Sequence, residues 1–216
     1  MANKTLQAAL DLFSTEDALR VLAEVGEYVD IIELGTPLIV AEGARVVKAV
    51  REKYPDKIIF ADIKVMDGGG EVPRSVLEAG ADMSSVLAAA EDATIHAAME
   101  LAKKHGAMTL VDMCSVKDIA GRGKEIESMH PDYICVHVGY DIQATGADPI
   151  EELRRLDGIK CRKAIAGGIK LPRFKEAVES PADDIICGGG IYKQPDMRKT
   201  AKEMRRILDE YNRTHA

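Results

Sequence analysis

The fold is decided by one stretch of sequence, which reads VDIIEL at residues 29–34, VAEGARVVKAVREK at residues 40–53 and IIFA at residues 58–61. The first and last segments are short apolar runs of the length of a buried strand. The segment between them has apolar residues three and four positions apart, which is helical spacing. The stretch therefore predicts a strand, a helix and a second strand, which is the repeating unit of a parallel sheet.

The same alternation repeats eight times along the chain. The predicted strands cover residues 6–10, 29–34, 58–61, 83–87, 108–113, 133–138, 161–166 and 184–187. The predicted helices cover residues 15–24, 40–53, 71–79, 93–105, 117–128, 150–156, 173–179 and 197–211. Eight such units predict an α/β fold, a single (β/α)8 TIM barrel that forms one domain over residues 1–216. A doubly wound open sheet is the alternative, because periodicity does not show closure, and the count of eight favours the barrel.

Composition argues against several classes of function. The 216 residues are 46% hydrophobic, and 29 Lys and Arg against 36 Asp and Glu give a net charge of −7. Since there is no long basic stripe, binding to nucleic acid or to an anionic membrane is not expected. The first residues contain no apolar run long enough for a signal peptide or a membrane span, so we expect a cytoplasmic protein. The 4 cysteines have no paired spacing, which predicts reduced packing residues and no zinc site.

Five predicted strands carry an ionisable residue at their C-terminal ends: Asp11, Glu33, Asp62, Asp112 and His137. In a parallel barrel these ends open into one mouth. Any one of these residues is as easily a solvated strand end or a helix cap, but the set of five indicates a functional mouth. The imidazole of His137 is a candidate for proton transfer, because histidine titrates near neutral pH. The alternative for His137 is a structural histidine bonded to a backbone carbonyl.

The densest charged cluster is formed by Asp62, Lys64 and Asp67. Alternate residues of a strand share a side, so Asp62 and Lys64 are expected to face the mouth while Ile63 packs behind them. Two carboxylates with an ammonium between them can hold a divalent cation and stabilise the oxyanion of an enediolate. The alternative is a structural ion pair without a chemical role.

Glycines follow the last two predicted strands, at residues 167–168 and 188–190. Barrels place backbone N–H groups around a phosphate at these two positions, and glycine allows the phosphate to approach the backbone closely. The two groups together predict a phosphate site. A third group, residues 68–70, follows the charged cluster, and we interpret it as a flexible turn that lets Asp67 project away from its own barrel.

Four segments resemble the orotidine-monophosphate-decarboxylase suprafamily: LQAALD at residues 6–11, VDIIELGTP at 29–37, ADIKVMD at 61–67 and AGG at 166–168. The similarity runs over nearly the whole chain, and the Asp-x-Lys-x-x-Asp motif is highly specific. Within the suprafamily the segments are most similar to the 3-hexulose-6-phosphate synthase branch, and next to the 3-keto-L-gulonate-6-phosphate decarboxylase branch. The resemblance implies a Mg²⁺-dependent barrel that works as a homodimer and handles ketose phosphates through a 1,2-enediolate.

The resemblance also implies roles for five residues of the mouth. Glu33 and Asp62 are expected to bind Mg²⁺, and Asp11 and Lys64 to contact the substrate hydroxyls and the developing enediolate. His137 is expected to transfer the proton.

Two further roles follow from the same resemblance. Asp67 is expected to reach the active site of the neighbouring subunit, which makes the two sites of a homodimer shared. The backbone of Gly168, Gly188 and Gly189 is expected to hold the phosphate.

Two positions favour the synthase branch. Tyr140 stands where the decarboxylase branch has an arginine after its histidine, and Gly189 stands where that branch has an arginine in the last phosphate loop. The pair Ile191-Tyr192 is also similar to the synthase branch. The chain departs from that branch at residues 69–70, where two glycines precede Glu71, and at residues 87–90, where a glycine is expected.

The expected activity is that of an aldehyde-lyase, the reversible aldol condensation of formaldehyde with D-ribulose 5-phosphate to D-arabino-3-hexulose 6-phosphate. Three alternatives stay open. The first is the sister decarboxylase and the second is a ketose-phosphate epimerase. The third is a sugar-phosphate-binding protein that keeps the pocket without turnover.

Overall fold

The computed structural model describes residues 3–215, and eight parallel strands close into a barrel in chain order. The strands are β1 Thr5–Leu10, β2 Ile31–Leu34, β3 Ile58–Val65, β4 Met83–Leu87, β5 Met108–Asp112, β6 Tyr133–His137, β7 Arg162–Ala166 and β8 Asp184–Cys187. Closure is made by pairing of the first and last strands, in which Thr5 is opposite Asp184. The predicted TIM barrel is confirmed, and the open sheet is excluded by this pairing.

Helices follow the strands around the outside of the barrel. They are α1 Thr15–Val25, α2 Thr36–Glu42, α3 Arg45–Lys53, α4 Arg74–Glu78, α5 Asp92–Lys104, α6 Ile119–Ser128, α7 Pro149–Leu153, α8 Leu171–Glu179, α9 Gly189–Tyr192 and α10 Met197–His215. Short 3-10 turns occur at Gly26–Tyr28, Tyr140–Thr145 and Arg154–Leu156. Between residues 3 and 215, no helix has the length and apolar character needed to cross a membrane.

Two predicted helices differ from the structure at glycine and proline. The helix predicted over residues 40–53 is two helices, because Gly43 adopts a φ of 62° and its N–H caps the Ile39 carbonyl at the end of α2. The helix predicted over residues 71–79 is only α4, which begins after Pro73.

Strand β3 is longer than predicted and contains an irregularity in its pairing. Its register with β4 shifts between Ala61, which is opposite Ser84, and Val65, which is opposite Val86. Lys64 lies in this segment and has a φ of 45°, which non-glycine residues adopt rarely. The extra residues bulge from the ladder, and such bulges re-aim side chains next to active sites.

The core has two layers, one on each face of the barrel sheet. Inside the barrel, Phe60, Met83, Leu110 and Ile186 pack into a small cluster that closes the space below the strand ends. Outside it, the intervening strand residues pack against the helices in a much larger cluster. Alternation along each strand separates the layers, so the mouth lies above a packed apolar cluster.

Asp184 lies at the bottom of the barrel, two residues before the inward-facing Ile186. Its side chain is fully buried, and its Oδ1 accepts a hydrogen bond of 2.6 Å from the hydroxyl of Thr5. Its other oxygen, Oδ2, has no hydrogen-bond partner among the described residues. Burial raises the pKa of Asp184 to about 7, against the smaller opposing effect of the Thr5 hydrogen bond.

The raised pKa predicts a pH-dependent cost of Asp184 to stability. Because the folded pKa lies above the unfolded one, folding loses stability as pH rises from about 4 to about 7, and the full cost then stays constant at higher pH. Asp184→Asn should therefore gain stability relative to the unsubstituted protein as pH rises, by on the order of 2–4 kcal/mol at pH 8 compared with pH 4. Urea unfolding over this pH range measures the difference.

The exposed Asp56→Asn serves as the matched control for this measurement, with no expected change in pH dependence. A constant difference between Asp184→Asn and the unsubstituted protein from pH 4 to pH 8 would show that the buried carboxyl is not the titrating group.

Candidate active site

A cavity of about 670 Å³ opens at the carboxyl ends of the strands. It is lined by all five ionisable residues predicted at strand ends: Asp11, Glu33, Asp62, Asp112 and His137. Lys64 and the glycines at residues 167–168 and 188–190 also line it. The barrel thus brings together residues that are up to 179 positions apart in the sequence, from Asp11 to Gly190.

Lys64 bridges two carboxylates of the mouth. Its Nζ lies 2.6 Å from Asp62 Oδ2 and 3.2 Å from Asp112 Oδ2, and its backbone N–H donates to Ser85 Oγ at 2.9 Å. Burial alone would lower the pKa of Lys64, but the negative charges of Asp62 and Asp112 outweigh it and raise the pKa above its usual value. The side chain is therefore a fixed positive charge in the cavity.

His137 and Asp112 form a hydrogen-bonded pair. The Nδ1–H of His137 donates to Asp112 Oδ2 at 2.8 Å, and the backbone N–H of Cys114 donates to Asp112 Oδ1. Despite burial, the charge of His137 and its hydrogen bond lower the pKa of Asp112 to about 2. Burial lowers the pKa of His137, but the charge of Asp112 and the shared hydrogen bond raise it overall. With Nδ1 bound, Nε2 is the nitrogen left to accept a proton from a substrate.

Glu33 and Asp62 are neighbouring carboxylates on adjacent strands. Gln7 Nε2 donates to Glu33 Oε2 at 2.6 Å, and the hydroxyls of Ser85 and Thr36 donate to Asp62 at 2.7 Å and 2.9 Å. Burial and the negative charge of Asp62 raise the pKa of Glu33 well above its usual value, although the Gln7 hydrogen bond opposes the shift. The carboxylates of the site therefore carry more negative charge than the nearby cationic side chains neutralise.

These two carboxylates fit a hard divalent cation. Both supply oxygen ligands, and a cation between them would relieve the repulsion that raises the pKa of Glu33. Over residues 3–215, no group of three or more His, Cys, Asp or Glu side chains is arranged as a metal site. Mg²⁺ suits such a sparse site, since it usually binds through one or two carboxylates and keeps water or substrate oxygens as its other ligands.

Asp11 lies at the rim of the cavity, just beyond β1. Desolvation and the negative charge of Asp62 raise its pKa, and Lys64, His137 and Lys193 pull in the opposite direction. Its backbone carbonyl accepts a weak hydrogen bond of 3.4 Å from the hydroxyl of Tyr192. The rim is therefore coupled electrostatically to the charged cluster below it.

The glycine loops lie on the other side of the cavity. Gly167 has a φ of 110°, and a Cβ there would lie 2.3 Å from the carbonyl oxygen of Val138. A Cβ at Gly190 would lie 2.1 Å from the carbonyl oxygen of Ile169, so the loops after β7 and β8 touch backbone to backbone. Only glycine allows this packing, which keeps both loops flush with the cavity wall.

Asp67 lies outside this cavity, on the exposed segment that follows β3. Its Oδ1 accepts a hydrogen bond of 2.7 Å from the N–H of Gly68. The following turn is more tightly packed than the interpretation as a flexible turn implies, because Gly69 is buried and a Cβ there would lie 2.0 Å from the Thr94 carbonyl oxygen in α5. The role of Asp67 in a partner subunit stays a prediction.

Sequence reasoning missed the residues that hold the carboxylates in place. Gln7 and Thr36 lie in the segments that carry the resemblance but received no role, and Ser85 lies in no such segment. Gln7 and Ser85 are polar residues on apolar strands, and strand alternation points both into the barrel. Lys193 was also missed, because it follows α9 instead of ending a strand. The sequence identified Asp112 as a strand-end residue, but only its contacts with Lys64 and His137 indicate a function for it.

Residues 4–204 match the model of the orotidine 5′-phosphate decarboxylase / HUMPS family. The chain belongs to this family. A 3-hexulose-6-phosphate synthase of Bacillus subtilis (strain 168) is 45% identical over 205 residues, which cover 94% of this chain and 98% of that protein. The predicted resemblance is confirmed by these matches, and with such relatives the chain is an enzyme of the aldehyde-lyase type.

Solved structures of the family agree with the fold. A 3-hexulose-6-phosphate synthase from Salmonella typhimurium has a TM-score of 0.93 at 36% identity, over 96% of this chain and 99% of that chain. A 3-keto-L-gulonate-6-phosphate decarboxylase from Vibrio cholerae has a TM-score of 0.85 at 28% identity, over 97% of this chain and 99% of that chain. Both branches named by the sequence resemblance therefore share this barrel.

The pairing of Asp112 with His137 predicts a shift in titration. Asp112→Asn should lower the pKa of His137, because the imidazolium loses the carboxylate that stabilises it. The acid limb of the pH profile of turnover should move to lower pH, and kcat should fall about 10- to 100-fold, since the base is less well oriented. NMR titration of His137 and the pH profile of kcat/KM measure both effects.

The exposed Asp141→Asn is the matched control for Asp112→Asn and should leave both values unchanged. An unshifted His137 titration in Asp112→Asn would contradict the pairing of Asp112 with His137.

Proposed function

We propose that this chain catalyses the reversible aldol condensation of formaldehyde with D-ribulose 5-phosphate, giving D-arabino-3-hexulose 6-phosphate through a 1,2-enediolate. The proposal is carried by the network in which Lys64 and His137 share the carboxylate of Asp112. Such a network puts a proton acceptor and a fixed cation side by side, which is what forming an enediolate needs. The names of relatives that match over nearly their whole length support the same reaction.

His137 begins the reaction as the general base. Its Nε2 would remove the proton from C1 of the ketose phosphate, and the imidazolium formed is stabilised by Asp112. Such proton transfer contributes roughly 10²–10⁴-fold to a rate. The ammonium of Lys64 would stabilise the negative charge that develops on the enediolate oxygens, and Asp11 would contact a substrate hydroxyl at the rim.

The carbon–carbon bond then forms between C1 of the enediolate and the carbon of formaldehyde. The electron pair of the formaldehyde carbonyl moves to its oxygen, and the His137 imidazolium returns the proton to that oxygen. The net reaction is an addition with no leaving group, and the reverse order of steps releases formaldehyde.

Glu33 and Asp62 would hold Mg²⁺, which when bound stabilises negative charge on substrate oxygens as a Lewis acid. The contacts of Gln7 with Glu33, and of Ser85 and Thr36 with Asp62, keep both carboxylates turned toward the cavity. At the other end of the substrate, the backbone of Gly168, Gly188 and Gly189 would hold the phosphate.

Tyr140 separates this proposal from the decarboxylase, the second candidate. Loss of a carboxylate as CO₂ calls for a cation near the leaving group, and the exposed phenol of Tyr140 offers one hydrogen bond but no guanidinium. Formaldehyde is uncharged and needs only access and a donor to its oxygen. The site is therefore better matched to condensation than to decarboxylation.

The test compares the two reactions on one preparation. The kcat/KM for ribulose 5-phosphate with formaldehyde should exceed that for decarboxylation of 3-keto-L-gulonate 6-phosphate, and Tyr140→Arg should narrow the gap. EDTA should abolish turnover and Mg²⁺ should restore it, because the site has only hard oxygen ligands. Faster decarboxylation than condensation in the unsubstituted enzyme would overturn the branch assignment, and full activity after removal of metal would overturn the role of Glu33 and Asp62.

We also propose that the enzyme is a homodimer with shared active sites. Asp67 points away from its own cavity and is flanked by Met66 and Val72, which are 54% and 49% exposed. Apolar side chains exposed next to a charged residue are typical of a surface that another chain covers. A partner on this surface would receive Asp67 at the edge of its own mouth.

Mixing of two inactive variants tests the sharing of sites. Lys64→Ala and Asp67→Ala should each be inactive alone, whereas a mixed dimer has one complete site and should recover about half the activity of an unsubstituted dimer. The measurement is turnover after refolding the two variants together, with the mixed dimer verified by mass. A verified mixed dimer without activity would show that Asp67 does not serve its partner.

A further inference from the structure

The charges of the mouth are distributed unevenly. The cavity lining contains four carboxylates, which lie on β2, β3 and β5 or just after β1, and Lys64 and His137 lie on β3 and β6. The carboxylates are Asp11, Glu33, Asp62 and Asp112. The loops after β7 and β8 contribute no carboxylate to the cavity lining, and they contribute Lys170 and Lys193. The lysines that an anionic end of a substrate could reach therefore lie on the glycine loops, where the carboxylate of Asp11 also borders Gly188.

Lys193 is held over these loops by two contacts of different kinds. Its aliphatic stem lies across Gly189, where an added Cβ would be 3.0 Å from Lys193 Cδ. Its ammonium lies 5.5 Å from the centroid of the Tyr140 ring and 5.8 Å from that of Tyr192. Aromatic faces attract a cation at such distances without neutralising it. The charge of Lys193 also lowers the pKa of Asp11, but among residues 3–215 Lys193 makes no ion pair with a carboxylate, whereas Lys64 makes two.

We infer that Lys193 is a phosphate-binding residue of the active site, and that Tyr140, Tyr192 and Gly189 position it. The inference rests on the proposed function, since it assigns the phosphate end of that substrate. Backbone N–H groups supply only partial charges to a phosphate dianion, whereas an ammonium adds a full charge at the rim of the same loops. Tyr140 comes from the segment after β6 and Tyr192 from the segment after β8, so the cation also ties together two sides of the phosphate site.

Gly189 has a specific function in this arrangement. Its backbone conformation is open to other residues, and an added Cβ there would meet the Lys193 stem at 3.0 Å. A side chain at position 189 would therefore push the stem of Lys193 from its observed position. The glycine therefore allows the cation to come from one helical turn further along the chain.

The central experiment removes the charge of Lys193 and keeps most of its stem. Lys193→Met should raise the KM for ribulose 5-phosphate about 10- to 100-fold, the range for loss of one hydrogen bond to a charged group, with kcat changed less than about twofold. Lys193→Arg should recover most of the loss. The control is Lys175→Met, which removes an exposed lysine of α8 that pairs with Glu179 outside the cavity.

Calorimetry with inorganic phosphate as the ligand separates this inference from the proposed reaction. Phosphate should bind the unsubstituted enzyme and bind Lys193→Met more weakly by the same factor as the change in KM, whether or not the enzyme condenses formaldehyde. If the unsubstituted enzyme does not condense formaldehyde but Lys193→Met still binds phosphate more weakly, the proposed reaction is wrong and the role of Lys193 is supported. Equal phosphate affinity in Lys193→Met and the unsubstituted enzyme, or the loss appearing in Lys170→Met instead, overturns the role of Lys193.

The positioning residues have a test of their own. Tyr140→Phe keeps the ring and should leave phosphate affinity unchanged, whereas Tyr140→Ala should weaken it by a smaller factor than Lys193→Met. In the background of Lys193→Met, Tyr140→Ala should have no further effect, because the two residues act through one contact. Additive losses in the double variant would show that Tyr140 acts independently of Lys193.

Discussion

The ammonium group of Lys64, placed between the carboxylates of Asp62 and Asp112, is the interaction on which the mouth depends. The charge of Lys64 helps to keep the buried Asp112 ionised, and the two carboxylates in turn hold the proton on the ammonium at neutral pH. The ionised Asp112 in turn raises the pKa of His137 through its charge and their hydrogen bond. A single positive charge therefore links the acidic pair on β2 and β3 to the base on β6.

The irregularity in β3 is what makes this placement possible. In a regular strand, Asp62 and Lys64 would stand about 6–7 Å apart on the same face, each opposite its own neighbour on β4. The shift of register between Ala61 and Val65, with the positive φ of Lys64, folds the side chain back toward Asp62 and across to Asp112. The backbone accepts an unfavourable conformation at this position, and the ion pairs on both sides of the ammonium compensate for it.

The two halves of the cavity differ in charge and in the groups that they offer to a ligand. An apolar cluster lies below the charges of the cavity, so these charges are only partly solvated and affect one another's pKa. The acidic half holds the carboxylates, Lys64 and His137, to which the proposed function assigns proton transfer and metal binding, while the glycine half offers backbone N–H groups and the ammonium of Lys193. A ketose phosphate, with a reactive carbonyl at one end and a dianion at the other, matches this polarity.

Much of this protein follows from local sequence alone. Apolar periodicity predicts each of the eight strands to within a few residues, because a buried parallel strand needs a continuous apolar run. Strand-end position likewise finds Asp11, Glu33, Asp62, Asp112 and His137, since the barrel topology fixes where such residues point. Only the tertiary structure decided which of them touch, through the bulge that turns Lys64 toward Asp112 and the inward-facing Gln7 and Ser85 that orient the carboxylates. It alone placed the ammonium of Lys193 near the Tyr140 ring, because this contact joins the segments after β6 and β8, which approach each other only when the barrel closes.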